Sequence, residues 1–105
     1  MKINMIYILW SCRDNAEART IIDALLEHRL IACASIFPEV ESIYRWEGEI
    51  EKGSEVKVLL ETLSHHFEPV QKTIQKMGSY KVPEIAQIDV AQVNPAYLSW
   101  LNACC

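Results

Sequence analysis

Basic clusters, glycine-rich loops and long apolar runs are all missing from this sequence. The 10 lysines and arginines are outnumbered by 14 acids, and the net charge is −4. This balance disfavours nucleic acid and anionic membranes as partners. Only three glycines occur, and none belongs to a phosphate-binding loop. Nucleophile-elbow and HExxH motifs are also absent, so we expect a protein that is not an enzyme.

Signals for export or membrane insertion are missing too. The apolar stretch from Met5 to Trp10 is too short to span a bilayer and lacks the flanks of a signal peptide. The four cysteines form no CxxC pair, so we expect free thiols in a reducing compartment. We therefore expect a cytoplasmic protein with a single domain over residues 1–105. Cys104 and Cys105 are expected to fray in solvent.

The most informative segment that is present is a hairpin in the middle of the chain. Its first arm, Ala32–Phe37 and Val40–Arg45, is rich in β-branched, aromatic and small residues. Its second arm, Glu55–Thr62, alternates apolar and polar residues, as a half-buried strand does. The segment Glu47–Glu49 supplies the turn, where Gly48 is free to adopt a positive φ.

This hairpin is long for a small domain. From Ala32 to Arg45 the arm has 14 residues, which corresponds to roughly 46 Å of strand. A compact domain of this size is about 33 Å across, so we expect the hairpin to overhang it, with Tyr44 and Trp46 near the tip. Exposed aromatic residues on a ribbon indicate an interface, and therefore an oligomer. Pro38 predicts an edge strand or a bulge in the first arm.

The remaining segments predict two strands and three helices. The strands are Ile3–Trp10 and Glu84–Ala91. The first helix begins at the N-cap residue Asp14, and Glu17 completes a capping-box pattern. Its apolar stripe consists of Ala18, Ile21, Ile22, Leu25 and Leu26.

The other two helices follow the hairpin. The apolar stripe of the second is Phe67, Val70, Ile74 and Met77, and Gly78 is expected at its C′ position. Asn94 and Pro95 begin a short third helix as N-cap and N1 residues. The order βαββαβ plus a C-terminal helix is typical of the α+β, ferredoxin-like split-βαβ fold, with an antiparallel sheet and two helices on one face.

Three regions of the chain together resemble the CutA divalent-cation-tolerance family. They are Leu30–Ala34, Ser42–Gly48, and Tyr80–Glu84 followed by Asn94–Leu101. The resemblance implies a homotrimer whose long hairpins pair between subunits, and a role in tolerance of copper and other divalent metals. It also implies architectural kinship with PII-type signal proteins. We therefore expect a metal-response protein that binds copper or another divalent cation. The alternative is a PII-like sensor or adaptor, which binds a small ligand or a protein partner between subunits.

Cys12 and Glu84 are the candidate metal ligands that the resemblance implies. Cys12 is expected just past the first strand, where a soft thiolate suits Cu(I); the alternative is a small residue that fills a turn. Glu84 is expected near the intersubunit site. Members of the family commonly carry His-Pro before the tyrosine, whereas this chain has Gly78-Ser79, so an imidazole ligand is missing. Arg13 beside Cys12 also admits a lowered thiol pKa and a reactive-thiol enzyme.

Two further groups of residues complete the predicted sites. Tyr80 and Lys81 are expected to line a ligand cleft, in which Glu84 and Tyr80 hold a cation or small ligand, or else form a structural hydrogen-bonding pair. The trimer interface is expected to contain Tyr44, Arg45, Trp46 and Glu47, with Arg45 and Glu47 paired across it.

Four other residues are given structural roles. Cys33 and Met77 are expected in the core. The side chains of His65 and His66 are expected to diverge rather than to converge on one ion, and to have solvated or capping roles.

Overall fold

Residues 3–105 are described by a computed structural model. They form β1 (Met5–Cys12), α1 (Asn15–Glu27), β2 (Cys33–Trp46), β3 (Glu49–Leu63), a 3₁₀ turn (Ser64–His66), α2 (Phe67–Met77), β4 (Ile85–Asp89) and α3 (Pro95–Cys104). The sheet is antiparallel with strand order β2-β3-β1-β4. The predicted α+β element order is therefore confirmed.

The main core lies between the sheet and the helices α1 and α2. Alternate residues of β1 and β3 face these helices. The buried residues of this core are Ile6, Ile8, Trp10, Cys12, Ala18, Ile21, Ile22, Leu25, Ile31, Val56, Val58, Leu60, Val70 and Ile74. Burial of each large apolar side chain stabilises the fold by about 1.5–3 kcal/mol.

Helix α1 begins as the sequence predicts. The Asp14 side chain accepts a hydrogen bond from the backbone N–H of Glu17 at 2.8 Å. The apolar stripe is buried except for Leu26, which is 43% exposed. Leu26 lies on the margin of the stripe, since each helical residue is rotated by about 100° from the one before it.

Helix α3 packs at the end of the sheet that holds the start of β1. Leu101 is buried with Met5 and Leu63 in a second, smaller cluster. Tyr97 Oη donates a hydrogen bond to Glu61 Oε1 at 2.6 Å. Cys105 is half-buried, with its Sγ 3.8 Å from Thr62 Oγ1. The prediction that the C-terminal cysteines fray is wrong, because tertiary contacts hold this end of the chain.

The hairpin extends beyond the body of the domain, as predicted. Strands β2 and β3 have 14 and 15 residues, and the molecule measures 45 × 27 × 22 Å. Glu47 and Gly48 form a two-residue turn with φ values of 50° and 85°. The register shifts between Phe37 and Val40, so Pro38 lies in a bulge of an edge strand, and both predicted roles of Pro38 hold.

Several predicted strand ends differ from the observed ones. Strand β1 continues to Cys12, because its last two residues pair with Lys57 and Val56. Strand β3 begins at Glu49 rather than Glu55, since the outer ribbon pairs with itself. Strand β4 is shorter than predicted, at Ile85–Asp89.

The end of α2 also differs from the prediction. Met77 is 40% exposed and does not belong to the core. Gly78 lies at the C-cap with φ −80° and ψ 157°, an extended conformation open to any residue. Its N–H donates to Ile74 O at 2.8 Å, and an added Cβ would also lie 2.8 Å from that oxygen. Gly78 is therefore explained by lack of space rather than by a positive φ.

Candidate functional site

An open cleft lies where the hairpin meets the loop that connects α2 to β4. Its volume is about 600 Å³. The residues that line it are Tyr44, Trp46, Glu51, Glu55, Tyr80, Lys81 and Val82. The structure thus brings Tyr80 and Lys81 together with two of the predicted interface residues. Arg45 and Glu47 do not line the cleft: Arg45 points to the opposite face of the ribbon, because strand side chains alternate, and Glu47 lies in the turn.

Lys57 joins the carboxylates beside this cleft. Its Nζ lies 2.6 Å from Glu84 Oε1 and 3.4 Å from Glu55 Oε1. Although burial by itself lowers the pKa of Lys57, the two carboxylates raise this pKa overall. Ser42 Oγ donates a 2.7 Å hydrogen bond to Glu55 Oε1. The sequence analysis did not predict a role for Lys57, because in the sequence it is one polar position of an alternating strand.

The backbone of Glu84 is anchored to β1. Its N–H donates to Ser11 Oγ and its carbonyl oxygen accepts from Ser11 N–H, both at 3.0 Å. Together with Lys57, these bonds fix the end of the loop against the sheet. Glu84 and Tyr80 are not hydrogen-bonded to each other among the described residues; the partner of the Glu84 carboxylate is Lys57.

Cys12 lies in a different environment from the one predicted. It is the last residue of β1, is only 1% exposed, and donates its S–H to Glu17 Oε2 at 3.3 Å. Burial, with a further contribution from Glu17, raises the pKa of the thiol to about 11. The expected lowering of this pKa is wrong, because the guanidinium of Arg13 pairs with Asp14, Nε to Oδ2 at 2.9 Å, and not with the thiol.

Cys12 and Glu84 lie on opposite faces of the sheet. Cys12 pairs with Val56 and faces the helices, whereas the neighbouring Lys57 points to the other face and binds the Glu84 carboxylate there. Across residues 3–105, no three His, Cys, Asp or Glu side chains form a group that could hold a metal ion. Metal binding by Cys12 and Glu84 stays a prediction.

Glu17 links Cys12 to the cleft loop. One carboxylate oxygen accepts from Cys12, while the other, Oε1, accepts from the backbone N–H of Ser79 at 3.0 Å. The next residue, Tyr80, has its phenol pKa raised by burial and by the nearby Glu55, Cys12 and Glu17. The sequence revealed Glu17 only as a capping residue, because nothing in the spacing shows its contact with Ser79, which lies 62 positions along the chain.

The other titratable residues lie away from the cleft. Cys33 is half-buried rather than fully in the core, and burial raises the pKa of its thiol. The ring centroids of His65 and His66 lie 4.1 Å apart with the ring planes tilted by 42°, so the expected divergence is wrong. Burial of His66 lowers its pKa, and its Nε2 has no hydrogen-bond partner within residues 3–105.

The comparison with protein families decides what kind of protein carries this cleft. A family model described as CutA1 divalent ion tolerance protein matches residues 6–104. The chain belongs to this family. It is 43% identical over 95 residues to the divalent-cation tolerance protein CutA of Thermus thermophilus, covering 90% of this chain and 92% of that protein. It is 39% identical over 97 residues to the Pyrococcus horikoshii protein of the same name, covering 92% and 94%.

Solved structures of the CutA1 family have the same fold. CutA1 from Ehrlichia chaffeensis is 34% identical with a TM-score of 0.90, over 99% of this chain and 96% of that one. A protein from Archaeoglobus fulgidus, described as a periplasmic divalent cation tolerance protein CutA, is 31% identical with a TM-score of 0.91, over 95% and 97%. In the described part of this chain, no helix has the length and apolar character needed to span a membrane.

Proposed function

We propose that this protein is a homotrimeric divalent-cation tolerance protein that responds to metal ions by binding copper or another divalent cation. The observation that carries the proposal is the match of residues 6–104 to the CutA1 divalent ion tolerance family. The relatives from Thermus thermophilus and Pyrococcus horikoshii are named for divalent-cation tolerance.

The exposed hairpin supports the trimer. Its large apolar side chains are 45–60% exposed in one chain; they are Phe37, Ile43, Tyr44, Trp46 and Ile50. Strand β2 is also an edge of the sheet, with backbone groups available to another strand. An apolar ribbon with a free edge is a site for subunit association. We place Tyr44, Arg45, Trp46 and Glu47 at this contact.

Metal binding would be completed between subunits. Cys12 and Glu84 belong to opposite faces of one sheet, so each supplies one ligand and needs ligands from elsewhere. A cation at Glu84 has to compete with the ammonium group of Lys57. A soft cation at Cys12 has to replace the thiol proton, so its binding strengthens as the pH rises.

Titration of the freshly purified protein with Cu(I) and Cu(II) tests this proposal. Wild type is expected to bind copper, Cys12→Ala and Glu84→Gln to bind less, and Glu68→Gln to bind as wild type does. Glu68 is a suitable control because it is exposed and its ion-pair partner among residues 3–105 is Lys72, one helical turn away. Absence of copper uptake by wild type would overturn the metal proposal.

The oligomeric state is tested separately by sedimentation. The expected mass is that of three chains, and a stable monomer at micromolar concentration would overturn the trimer. The comparisons do not favour the PII-like alternative. A metabolite that raises the melting temperature, with no metal doing so, would nevertheless reverse this ranking.

We also propose that the protein is cytoplasmic and is not an enzyme. Four free thiols suit a reducing compartment, although the Archaeoglobus fulgidus relative is described as periplasmic. The nucleophile candidate Cys12 is buried and stays protonated near neutral pH, and the Glu84 carboxylate is paired with Lys57. Cell fractionation tests the location, and incubation of the pure protein with thioester and disulfide substrates tests for turnover at Cys12.

A further inference from the structure

The hairpin supplies a wall of the cleft that carries two separated carboxylates. Glu51 and Glu55 lie on the same face of β3, because strand side chains alternate and the two residues are an even number of positions apart. Gly53, midway between them, has no side chain. The ring of Tyr44 lies over this gap, since a Cβ added to Gly53 would be 3.6 Å from Tyr44 Oη and 3.9 Å from its Cε1. Along this wall an aromatic ring therefore lies between two carboxylates.

Two further aromatic side chains line the same cleft. Trp46 lies two positions beyond Tyr44 on β2, on the same face and exposed. Tyr80 lies in the loop between α2 and β4. Burial raises the pKa of its phenol, and Glu55 and Tyr44 contribute to this rise, so Tyr80 is near both. Aromatic rings attract organic cations and pack against apolar chains. The cleft thus has apolar surface between two places that favour positive charge.

Both carboxylates have oxygens that can accept hydrogen bonds from a ligand. None of the ion pairs within residues 3–105 includes Glu51. Glu55 is held through one oxygen only, because Ser42 Oγ at 2.7 Å and Lys57 Nζ at 3.4 Å both contact its Oε1. The Glu55 side chain is 20% exposed. Both Glu51 oxygens and Oε2 of Glu55 are therefore available to ammonium groups.

The separation of these carboxylates does not suit a metal ion. The Cα atoms of Glu51 and Glu55 are roughly 13 Å apart along the strand, so the oxygens do not converge on one ion. Within the described part of the chain, no three metal-ligating side chains form a group here or elsewhere. Two separated negative charges with an aromatic surface between them instead match a molecule that has a positive charge at each end of an apolar chain.

We propose that the cleft binds a linear aliphatic diamine or polyamine, with its ammonium groups at Glu51 and Glu55 and its methylene chain against the ring of Tyr44. This inference goes beyond the proposed function and does not depend on copper binding. Ligand charge, rather than a metal-coordinating group, determines what the cleft accepts.

Calorimetric titration of the intact protein with butanediamine, hexanediamine and octanediamine tests the class of ligand. The diamine that binds most tightly is expected to bind about three- to tenfold more tightly than hexylamine, which has one ammonium group. It is also expected to bind more tightly than aminohexanoic acid, which has a carboxylate in place of the second ammonium. No binding of any diamine at millimolar concentration, or equal affinities for the diamines and hexylamine, overturns the proposal.

Substitution of Glu51 tests the two-carboxylate arrangement. Glu51→Gln is expected to reduce the affinity for the diamine to that for hexylamine, because one charged contact is lost. Glu41→Gln is the matched control: Glu41 is also exposed on the hairpin, but it lies on the opposite face of the ribbon, where it pairs with Ser54. Equal losses in the two variants overturn the assignment of Glu51.

Lys81 distinguishes a cationic ligand from an anionic or zwitterionic one. It lines the cleft, is exposed, and belongs to none of the ion pairs within residues 3–105. Lys81→Gln removes a charge that repels an ammonium group, so the diamine is expected to bind this variant up to about threefold more tightly. Weaker binding of the diamine to Lys81→Gln overturns the proposal.

The position of the ligand is tested in the wild-type protein by NMR. Addition of the diamine is expected to shift the amide signals of Gly53 and Tyr80, whereas hexanediol, which has no charge, is expected to leave them unchanged. Shifts confined to other residues overturn the proposed position. Sedimentation compares the mass of each variant with that of wild type, and the wild-type shifts decide if a variant changes its mass. Copper uptake is measured separately, so failure of amine binding leaves the proposed function standing, and the reverse also holds.

Discussion

Cys12 shows how the surroundings of one side chain set its chemistry. A thiol at a strand-to-helix turn, next to an arginine, suggests an activated nucleophile. In the folded protein the arginine pairs with Asp14, and the thiol is buried against the Glu17 carboxylate. Burial, and after it the hydrogen bond to the Glu17 carboxylate, both favour the neutral thiol over the thiolate.

The raised pKa of Cys12 predicts a dependence of stability on pH. The folded pKa is about 11 and the unfolded value is 9.0, so the folded state retains the proton to a higher pH. The stabilisation is complete below pH 9 and is lost as the pH rises towards 11, with an upper limit of about 2.7 kcal/mol. Urea unfolding at pH 8, 9 and 10 measures this loss, which should be smaller in Cys12→Ala. Parallel curves for the two proteins would contradict the prediction.

Substitution by alanine is expected to have opposite effects on stability at Gly78 and at Gly53. A Cβ on Gly78 would lie 2.8 Å from the Ile74 carbonyl oxygen, whereas one on Gly53 would meet Tyr44 Oη at 3.6 Å, an ordinary contact. Gly78→Ala is therefore expected to lower the free energy of unfolding by about 1–3 kcal/mol. Gly53→Ala is expected to be neutral or to stabilise by up to about 1 kcal/mol. Urea unfolding at one fixed protein concentration compares the two; equal losses would show that space around Gly78 is not the cause.

Helix α3 depends on a small number of contacts with the sheet. Leu101 is its buried apolar residue, and the bond from Tyr97 Oη to Glu61 is the polar contact at its start. The same bond, followed by burial, raises the pKa of the Tyr97 phenol. The helix is therefore attached by the buried Leu101, by the Tyr97–Glu61 hydrogen bond, and by the hydrogen bond from Arg29 Nη2 to Ala103 O at 3.1 Å.

Removal of the Tyr97–Glu61 hydrogen bond is expected to loosen α3. Tyr97→Phe leaves Glu61 without this donor and is expected to lower the free energy of unfolding by about 1–2 kcal/mol. Fluorescence of Trp100, which lies on α3 with its ring centroid 5.3 Å from that of Tyr97, reports on the helix. Asn102→Ala removes an exposed residue of the same helix and serves as the control. An unchanged unfolding midpoint for Tyr97→Phe would show that this hydrogen bond does not contribute to stability.

Local patterns in the sequence predicted the helices, strands and turns well, but they predicted poorly which distant residues each element contacts. The stripe of α1, its Asp14 cap, the glycine turn and the proline bulge depend on neighbouring residues and were found. The exposure of Met77, the docking of Cys105 and the contact between Glu17 and Ser79 depend on parts of the chain that are distant in sequence. The cleft was predicted only at Tyr80 and Lys81, because Lys57 and Glu17 acquire their roles from strand register and helix placement.

The whole molecule is elongated because its hairpin extends beyond the core. The radius of gyration is 14.6 Å, against about 13 Å for a compact domain of this length. The excess arises from a ribbon whose aromatic and aliphatic side chains are exposed in one chain. In the proposed trimer, other chains cover this ribbon.

Substitution of Trp46 tests whether the hairpin is the contact between subunits. Trp46 is 58% exposed near the tip, and Trp46→Ala is expected to weaken subunit association at least tenfold, since large aromatic residues dominate interface energies. Leu26→Ala removes a similarly exposed apolar side chain from α1, away from the ribbon, and is expected to leave association unchanged. Analytical ultracentrifugation over a dilution series measures both. Equal effects of the two substitutions would argue against the hairpin as the interface.

The bulge at Pro38 divides the hairpin into two parts that acquire their structure for different reasons. Before the bulge, the strands pack on the core; from residue 40 to residue 55, no side chain is buried. The outer ribbon is therefore held by its own strand pairing, without burial of its side chains in this chain. Limited proteolysis should cut first between residues 40 and 55, and faster as the protein is diluted. In the proposed trimer, the cellular concentration of the chain therefore determines how long this segment is accessible to proteases.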